Sequence, residues 1–265
     1  MDRLLLLRLR AVGCAAEVRI NDIPVLRAPA RGALMSLAVN EFLLEGHNQL
    51  SLEIDPAPAA LDSEMPARIA LGASGASVRL LLPRIGRPGN ESSARALAAL
   101  DWAVADGEVV SPPIRQQQSI DLPLKFPRWR WLDMPVVEDP TTVQPVVARF
   151  IQNLALALAK GDADALVHAA RLRFEELALA YQQPVAELVA RWRSRIQLLH
   201  AAKALRLLLP TLADVRVQPC AGGRLLECLA PDGEPILRTE TAADGTRQAW
   251  PVRVAVIDDQ CHILR

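Results

Sequence analysis

Three residues of one predicted helical region have the side-chain types of a general acid–base site. His168 is a candidate general base, and Asp164 precedes it by one helical turn, so the two side chains share one face of an α-helix. Tyr181, the single tyrosine of the chain, ends the apolar stripe that follows. The same spacing is typical of a solvated helix face and of a tyrosine packed in a core, so we assign no catalytic residue.

Trp129 and Trp131 lie close together in a chain that has only five Trp, one Tyr and four Phe. In an extended segment the two indole rings share one face, while Arg128 and Arg130 share the other. Such a face can stack on a sugar or fill a groove of a partner protein. Alternatively, the rings close the first domain against the second, and we favour this interpretation for at least one of them.

Six arginines of the predicted helices can surround an anionic pocket or form a solvated, salt-bridged surface. Glutamates at helical spacing favour the second interpretation, because they can pair with arginines one turn away. The arginines are Arg171, Arg173, Arg191, Arg193, Arg195 and Arg206, and the glutamates are Glu175, Glu176 and Glu187.

No sequence motif predicts a cofactor or a metal site. The chain contains no dinucleotide-binding GxGxxG, no P-loop, no HExxH and no GxSxG. Its four cysteines include no CxxC pair and no histidine at zinc-ligand spacing. Cys220 and Cys228 can face each other across a hairpin, but we expect them to be small buried residues.

Charge and composition exclude some classes of protein. Lysine and arginine number 30, aspartate and glutamate also number 30, and the formal net charge is therefore zero. This balance argues against a nucleic-acid binder, whose affinity depends on excess positive charge. The hydrophobic fraction of 51% is typical of a globular protein, and 265 residues suffice for two domains. No stretch approaches the roughly 20 apolar residues of a transmembrane helix, so we predict no membrane span.

Residues 1–132 are predicted to form an all-β sandwich domain. Short runs alternate between apolar and polar residues, as in residues 3–11 and 49–54. Asn21 and Asp22 mark a tight turn between two such runs. Many short strands separated by turn residues, without a long amphipathic helix, are typical of an antiparallel sandwich.

Three stretches of this domain carry a family resemblance: residues 18–25 (VRINDIPV), 39–43 (VNEFL) and 46–50 (GHNQL). Together they resemble the galactose-binding-like, jelly-roll sugar-binding domains of large glycoside hydrolases. The resemblance implies a jelly-roll arrangement of the sandwich. In that family the corresponding residues form turns rather than sugar contacts, so the resemblance does not imply sugar binding.

Residues 133–142 (DMPVVEDPTT) are predicted to be a linker, because they are rich in proline and polar residues. Residues 143–265 then change period, first to apolar stripes at helical spacing and later to short strands with turns between them. Helices followed by a meander of strands predict an α+β domain.

The opening helix of this domain and the turn after it, residues 150–166 (FIQNLALALAKGDADAL), resemble the NTF2-like (SnoaL-type) fold. The closing hairpin, residues 250–265, is also similar to that family. The resemblance implies helices packed on a curved antiparallel sheet, but not an activity, because the family mixes enzymes with non-catalytic binders. Residues 171–209 depart from the pattern, since they predict two long helices that can fill or cap the pocket.

The amino-terminal residues 1–14 (MDRLLLLRLRAVGC) permit two interpretations of localisation. Residues 11–14 resemble a lipobox, which would make Cys14 the lipidated first residue of a periplasmic lipoprotein. However, Arg8 and Arg10 interrupt the apolar stretch that a signal peptide needs. We therefore expect a β-strand here, a chain that begins at Met1 or Asp2, and a cytoplasmic protein.

Three functions remain open on the sequence alone. The one that we favour is a non-catalytic binding or protein-interaction protein of a bacterium, such as an accessory or immunity-type protein whose partner is another protein. The second is a small-molecule enzyme of the isomerase or dehydratase type, with Asp164, His168 or Tyr181 in an NTF2-like pocket. The third is a carbohydrate-binding accessory module that uses Trp129 and Trp131.

Overall fold

The computed structural model describes residues 4–55, 69–70, 74–84, 94–104, 109–110, 112–242 and 245–265. Packing of the chain divides it into two compact units, Met1–Pro127 and Arg128–Arg265. The first unit is built mainly of β-strands, and the second combines helices with an antiparallel sheet. This order confirms the coarse fold class expected from the sequence, a β-rich part followed by a part with helices and strands.

The first unit contains ten described strands. They are β1 Leu6–Val12, β2 Ala15–Ile20, β3 Ile23–Ala28, β4 Ala33–Ala38, β5 Gly46–Asp55, β6 Ile69–Ala70, β7 Ser74–Leu82, β8 Arg95–Val104, β9 Val109–Val110 and β10 Ile114–Leu122. Two four-stranded antiparallel sheets have the orders β4-β1-β7-β8 and β10-β5-β2-β3, and β6 pairs with β9. Consecutive strands β1 and β2 belong to different sheets, so the chain crosses between the sheets early.

Alternation of side chains explains the strands of this unit. In β1, Leu7 and Leu9 are fully buried while Arg10, between Leu9 and the next buried residue, is exposed. Strand β5 repeats the pattern with buried Leu50, Leu52 and Ile54. The strand that the sequence predicts at residues 3–11 is therefore confirmed as β1.

The turn predicted at Asn21 and Asp22 is confirmed and connects β2 to β3. Both residues have left-handed backbone conformations, with φ of 52° and 63°, which asparagine and aspartate tolerate better than most residues. The Asn21 side chain also donates to the carbonyl of Phe42 at 2.9 Å and to Oδ1 of Asn48 at 2.9 Å. The hairpin is thus fixed to the segment that enters β5.

Asn48 is completely buried and satisfies the polar atoms of that segment. Its Oδ1 accepts from the backbone N–H of Leu44 at 2.7 Å, and its Nδ2 donates to the carbonyls of Leu44 at 2.8 Å and Gly46 at 2.9 Å. One amide side chain therefore replaces the ladder hydrogen bonds that the backbone lacks where it turns into β5.

The second unit begins with four helices and continues with six strands. The helices are α1 Pro140–Ala159, α2 Asp164–Ala169, α3 Arg171–Tyr181 and α4 Val185–Ala201. The strands are β11 Arg216–Cys220, β12 Leu225–Leu229, β13 Leu237–Arg238, β14 Ala249–Trp250, β15 Arg253–Ile257 and β16 Gln260–Ile263. Strands β11, β12, β15 and β16 form a four-stranded antiparallel sheet in that order, and β13 pairs with β14.

The segment predicted to be a linker, residues 133–142, belongs to the second unit instead. Asp139 caps α1 by accepting from the N–H of Thr141 at 2.9 Å, and Pro140 occupies the first turn, where its missing N–H removes no helical hydrogen bond. Val137 donates its N–H to the carbonyl of Gly223 at 2.9 Å. The proline-rich composition marks a helix start here, not a free connection.

Helix α1 buries its apolar stripe in the core of the unit, including Val147, Ile151 and Leu158. Gly161 follows it with φ of 80°, and a β-carbon at this position would meet the His200 ring at 2.8 Å. Only glycine satisfies both the left-handed conformation and the close approach.

Among the described residues, no helix is long and apolar enough to cross a membrane.

Replacing Asn48 with leucine should lower the free energy of unfolding of the first unit by about 2–4 kcal/mol, because several buried backbone groups lose their partner. Urea denaturation followed by circular dichroism measures this difference. Gln117→Leu is the matched control, since the Gln117 amide is exposed and should change stability by less than about 0.5 kcal/mol. Equal stabilities of the two variants would contradict the role of Asn48.

Candidate functional site

The structure does not assemble the candidate acid–base residues into one site. Asp164 is exposed, and its Oδ1 accepts from Nε of Arg193 at 2.6 Å rather than from His168. His168 is also exposed on α2, while Tyr181 lies half-buried at the end of α3. The interior cavity of the second unit is lined by other side chains. None of the three is therefore placed to transfer a proton to a molecule held in that cavity.

The segment around the tryptophan pair differs from the expected extended strand. Residues Arg130–Asp133 form a 3-10 turn, and Trp129 and Trp131 are buried, with exposures of 0% and 4%. The guanidinium carbon of Arg265 lies 5.4 Å from the centroid of the Trp129 ring, a cation–π contact. Both rings are thus parts of a packed interior, and neither forms an exposed stacking face.

The two arginines expected beside this face make ion pairs. Arg128 Nη2 contacts Oδ1 of Asp133 at 2.5 Å, and Arg130 Nη2 contacts Oε2 of Glu175 at 2.6 Å. The hydrogen bond from Arg130, together with the nearby positive charges, lowers the pKa of the Glu175 carboxyl. Arg171 also pairs with Glu175 one turn away at 2.6 Å, as the prediction of a salt-bridged surface implies.

Two buried ion pairs were not anticipated from the sequence. Arg265 Nη1 contacts Oε2 of Glu176 at 2.5 Å, and Arg253 Nη2 contacts Oε1 of Glu227 at 2.9 Å. The other carboxylate oxygen of Glu176 accepts the backbone N–H of Arg130 at 2.5 Å. A signal existed for Glu227, because a charged residue within the apolar run LLECL of β12 needs a buried partner.

These ion pairs have no open approach for a substrate. All four side chains are at least 90% buried, with exposures of 1% and 4% for the Arg265–Glu176 pair and 7% and 2% for the Arg253–Glu227 pair. They therefore fasten elements together rather than form a reaction centre.

The cysteines of the second unit are poor nucleophiles. Burial raises the pKa of the Cys228 thiol well above its ordinary value and that of Cys261 to about 11. All four cysteines of the chain are free thiols. No group of three or more metal-ligating side chains occurs within the described part of the chain. The Cys228 and Cys261 thiols are thus poor sources of thiolate at neutral pH.

Helix α4 is largely exposed. Ile196 is the single fully buried residue among its 17 residues. One nearly flat face of this helix forms a shallow, wide-open depression, which we call the α4 groove; it is lined by Ala190, Arg191, Ser194, Arg195, Leu198 and Leu199. Leu198 is 70% exposed, an unusual value for a leucine in a helix that the sequence predicts to be amphipathic.

Neither arginine of the α4 groove has a carboxylate partner among the described residues. Arg191 donates to the side-chain amide oxygen of Gln183, and Arg195 donates to that of Gln248. Arg193, on the opposite side of the helix, is the one that pairs with Asp164. Two positive charges without carboxylate partners therefore lie on the two turns that precede the exposed Leu198.

Comparisons of the chain with protein-family models, with curated proteins and with solved structures find no match. The galactose-binding-like and NTF2-like resemblances therefore depend on the residues that carry them and stay predictions. The arrangement of side chains in the second unit is the main evidence on function.

Replacing Trp129 with alanine should lower the free energy of unfolding by about 3–5 kcal/mol, because truncation leaves a cavity and removes the contact with Arg265. Trp131→Ala should have a similar effect. Thermal melts measure both, with Arg128→Ala as an exposed control that should change little. Unchanged melting temperatures of both tryptophan variants would contradict the structural role. Trp129 and Trp131 would then again be candidates for a binding surface.

Alkylation of Cys261 by iodoacetamide should be very slow at pH 8 and accelerate towards pH 11. Its raised pKa, about 11, leaves the thiolate form scarce below that pH. Peptide mass spectrometry of the labelled native protein measures the rate, and free glutathione in the same tube is the reference. A rate at pH 8 equal to that of glutathione would contradict the raised pKa.

Proposed function

We propose that the protein is a non-catalytic interaction protein whose second unit binds another protein through the α4 groove. The observation that carries this proposal is the exposure of α4, which presents Leu198 one turn after Arg195 and two turns after Arg191, two arginines without carboxylate partners among the described residues. Helices of globular proteins normally bury one apolar side. An exposed apolar side chain with cations on the preceding turns suits a partner with the complementary pattern.

The partner proposed is an amphipathic helix with acidic residues beside its apolar stripe. The groove follows positions 190, 194 and 198, which are one turn apart, so its floor is a straight row along α4. Small side chains at Ala190 and Ser194 allow a second helix to approach closely. Glutamates or aspartates of that helix would pair with Arg191 and Arg195, while its leucines would cover Leu198.

The finer fold assignments support a binding role and are also proposals. We infer that the first unit is a galactose-binding-like jelly roll, because its two four-stranded antiparallel sheets exchange strands early in the chain. We infer that the second unit is NTF2-like, because helices precede a four-stranded antiparallel sheet. Both families include domains that bind without catalysis.

We further propose that the protein is bacterial, and cytoplasmic rather than a lipoprotein. Burial of Cys14 within the first unit favours the cytoplasmic protein over the lipoprotein.

The partner can be captured at the groove itself. Ser194 replaced by p-benzoyl-phenylalanine places a photo-cross-linker at the centre of the groove, and mass spectrometry of cells of the native host identifies the cross-linked peptide. A synthetic copy of that peptide then serves as the probe in fluorescence polarisation with the purified protein.

Arg191→Glu and Arg195→Glu should each weaken binding of this peptide by at least about tenfold, because a repulsive contact replaces an attractive one. Both arginines are exposed, so thermal melts should stay unchanged. Arg149→Glu is the matched control, an exposed arginine on α1 outside the groove, and it should bind normally. A cross-linked peptide whose affinity is insensitive to both reversals, or no cross-linked protein at all, would reject the proposal.

A further inference from the structure

A partly open cavity of about 170 Å³ lies in the second unit, among residues of helices α2, α3 and α4 and of the strands that follow; its lining includes the exposed residues Ala249 and Pro251. Leu166, Phe174, Leu177, Trp192, Trp250 and Ile263 supply much of its wall. The remaining lining residues are also apolar, except for Arg173. The cavity shares no lining residue with the α4 groove, although Trp192 belongs to the same helix.

A cavity of this size departs from the packing of ordinary protein interiors. Cores are packed about as densely as organic crystals, and voids larger than a water molecule are few. Apolar cavities hold water poorly, because a water molecule needs two to four polar partners. Apolar walls also offer dispersion contacts that stay unmade while the space is empty.

The wall next to the cavity has an aromatic character. The Trp192 and Trp250 rings meet edge to face, with centroids 6.1 Å apart and an angle of 83° between their planes. The ring of an aromatic ligand can make a further favourable edge-to-face contact with such a pair. Trp250 is 7% exposed, so its position is held by the surrounding core.

We infer that this cavity is a binding site for a small uncharged aromatic molecule, about the size of a single substituted benzene ring. A cavity of about 150 Å³ with comparable apolar walls is large enough to hold benzene. The cavity here is slightly larger, about 170 Å³, and two indole rings contribute to its wall. Binding needs no reaction, so this inference concerns ligand recognition and stands whether or not a protein partner binds α4.

Toluene is a suitable probe, and isothermal titration calorimetry of the full chain measures its affinity. Because binding to the folded state alone stabilises it, toluene at about fivefold above its Kd should raise Tm by about 2–4 °C. The indole N–H signals of Trp192 and Trp250 should shift in nuclear magnetic resonance spectra. The signals of Trp102, Trp129 and Trp131 should not, since these residues do not line the cavity.

Ala170→Leu should weaken toluene binding by at least about tenfold, because Ala170 lines the cavity and the larger side chain occupies it. Ala201→Leu is the matched control, because Ala201 is exposed at the end of α4 and does not line the cavity. Should Ala170→Leu fail to fold, Ala249→Leu provides a second obstruction from the opposite wall. A wild-type titration without heat or shifts, or equal affinity in the filled and control variants, would overturn the inference.

Discussion

The buried carboxylate group of Glu176 joins three separate parts of the second unit. Glu176 lies on α3, one of its oxygens accepts the backbone N–H of Arg130, and the other pairs with the guanidinium of Arg265. Arg265 also packs over Trp129, and its backbone pairs with that of Arg253 beside the second buried ion pair. Because an unpaired buried charge is strongly destabilising, these contacts form together or not at all. A single side chain thus links α3, the 3-10 turn and Arg265, which follows the last strand of the sheet.

Periodicity was sufficient to predict the strands and the helix whose buried residues repeat at regular spacing along the chain. Alternation located β1 and β5, and helical spacing located the buried stripe of α1. Periodicity could not predict the contacts of Glu176, because the partners of this residue lie 46 and 89 positions away in sequence. No local rule connects residues so distant, and pairing of buried charges is decided by tertiary packing.

Local composition is ambiguous where the same residues serve two purposes. Proline and polar residues at 133–142 predict a linker, yet Asp139 and Pro140 are also what a helix start requires. The tryptophan segment was expected to be extended, but Trp131 lies in a 3-10 turn. For Asp164 and His168 the spacing correctly placed both on α2, while their exposure followed from packing that the spacing does not report.

Helix α4 has the period of a core helix, but most of the apolar side chains that attach it are only partly buried. Ile196 is its single fully buried residue, while Leu188, Trp192 and Leu199 pack partly buried against the core. Separation of α4 therefore costs less apolar burial than separation of a helix with a fully buried stripe. Its amide protons should therefore exchange with solvent through local opening, without unfolding of the sheet beneath. A partner helix bound to α4 would suppress that opening. The conformational entropy that α4 then loses would offset part of the free energy gained from the new contacts. The partial burial of α4 thus makes its binding free energy depend on the stability of the helix itself as well as on the surface that it presents.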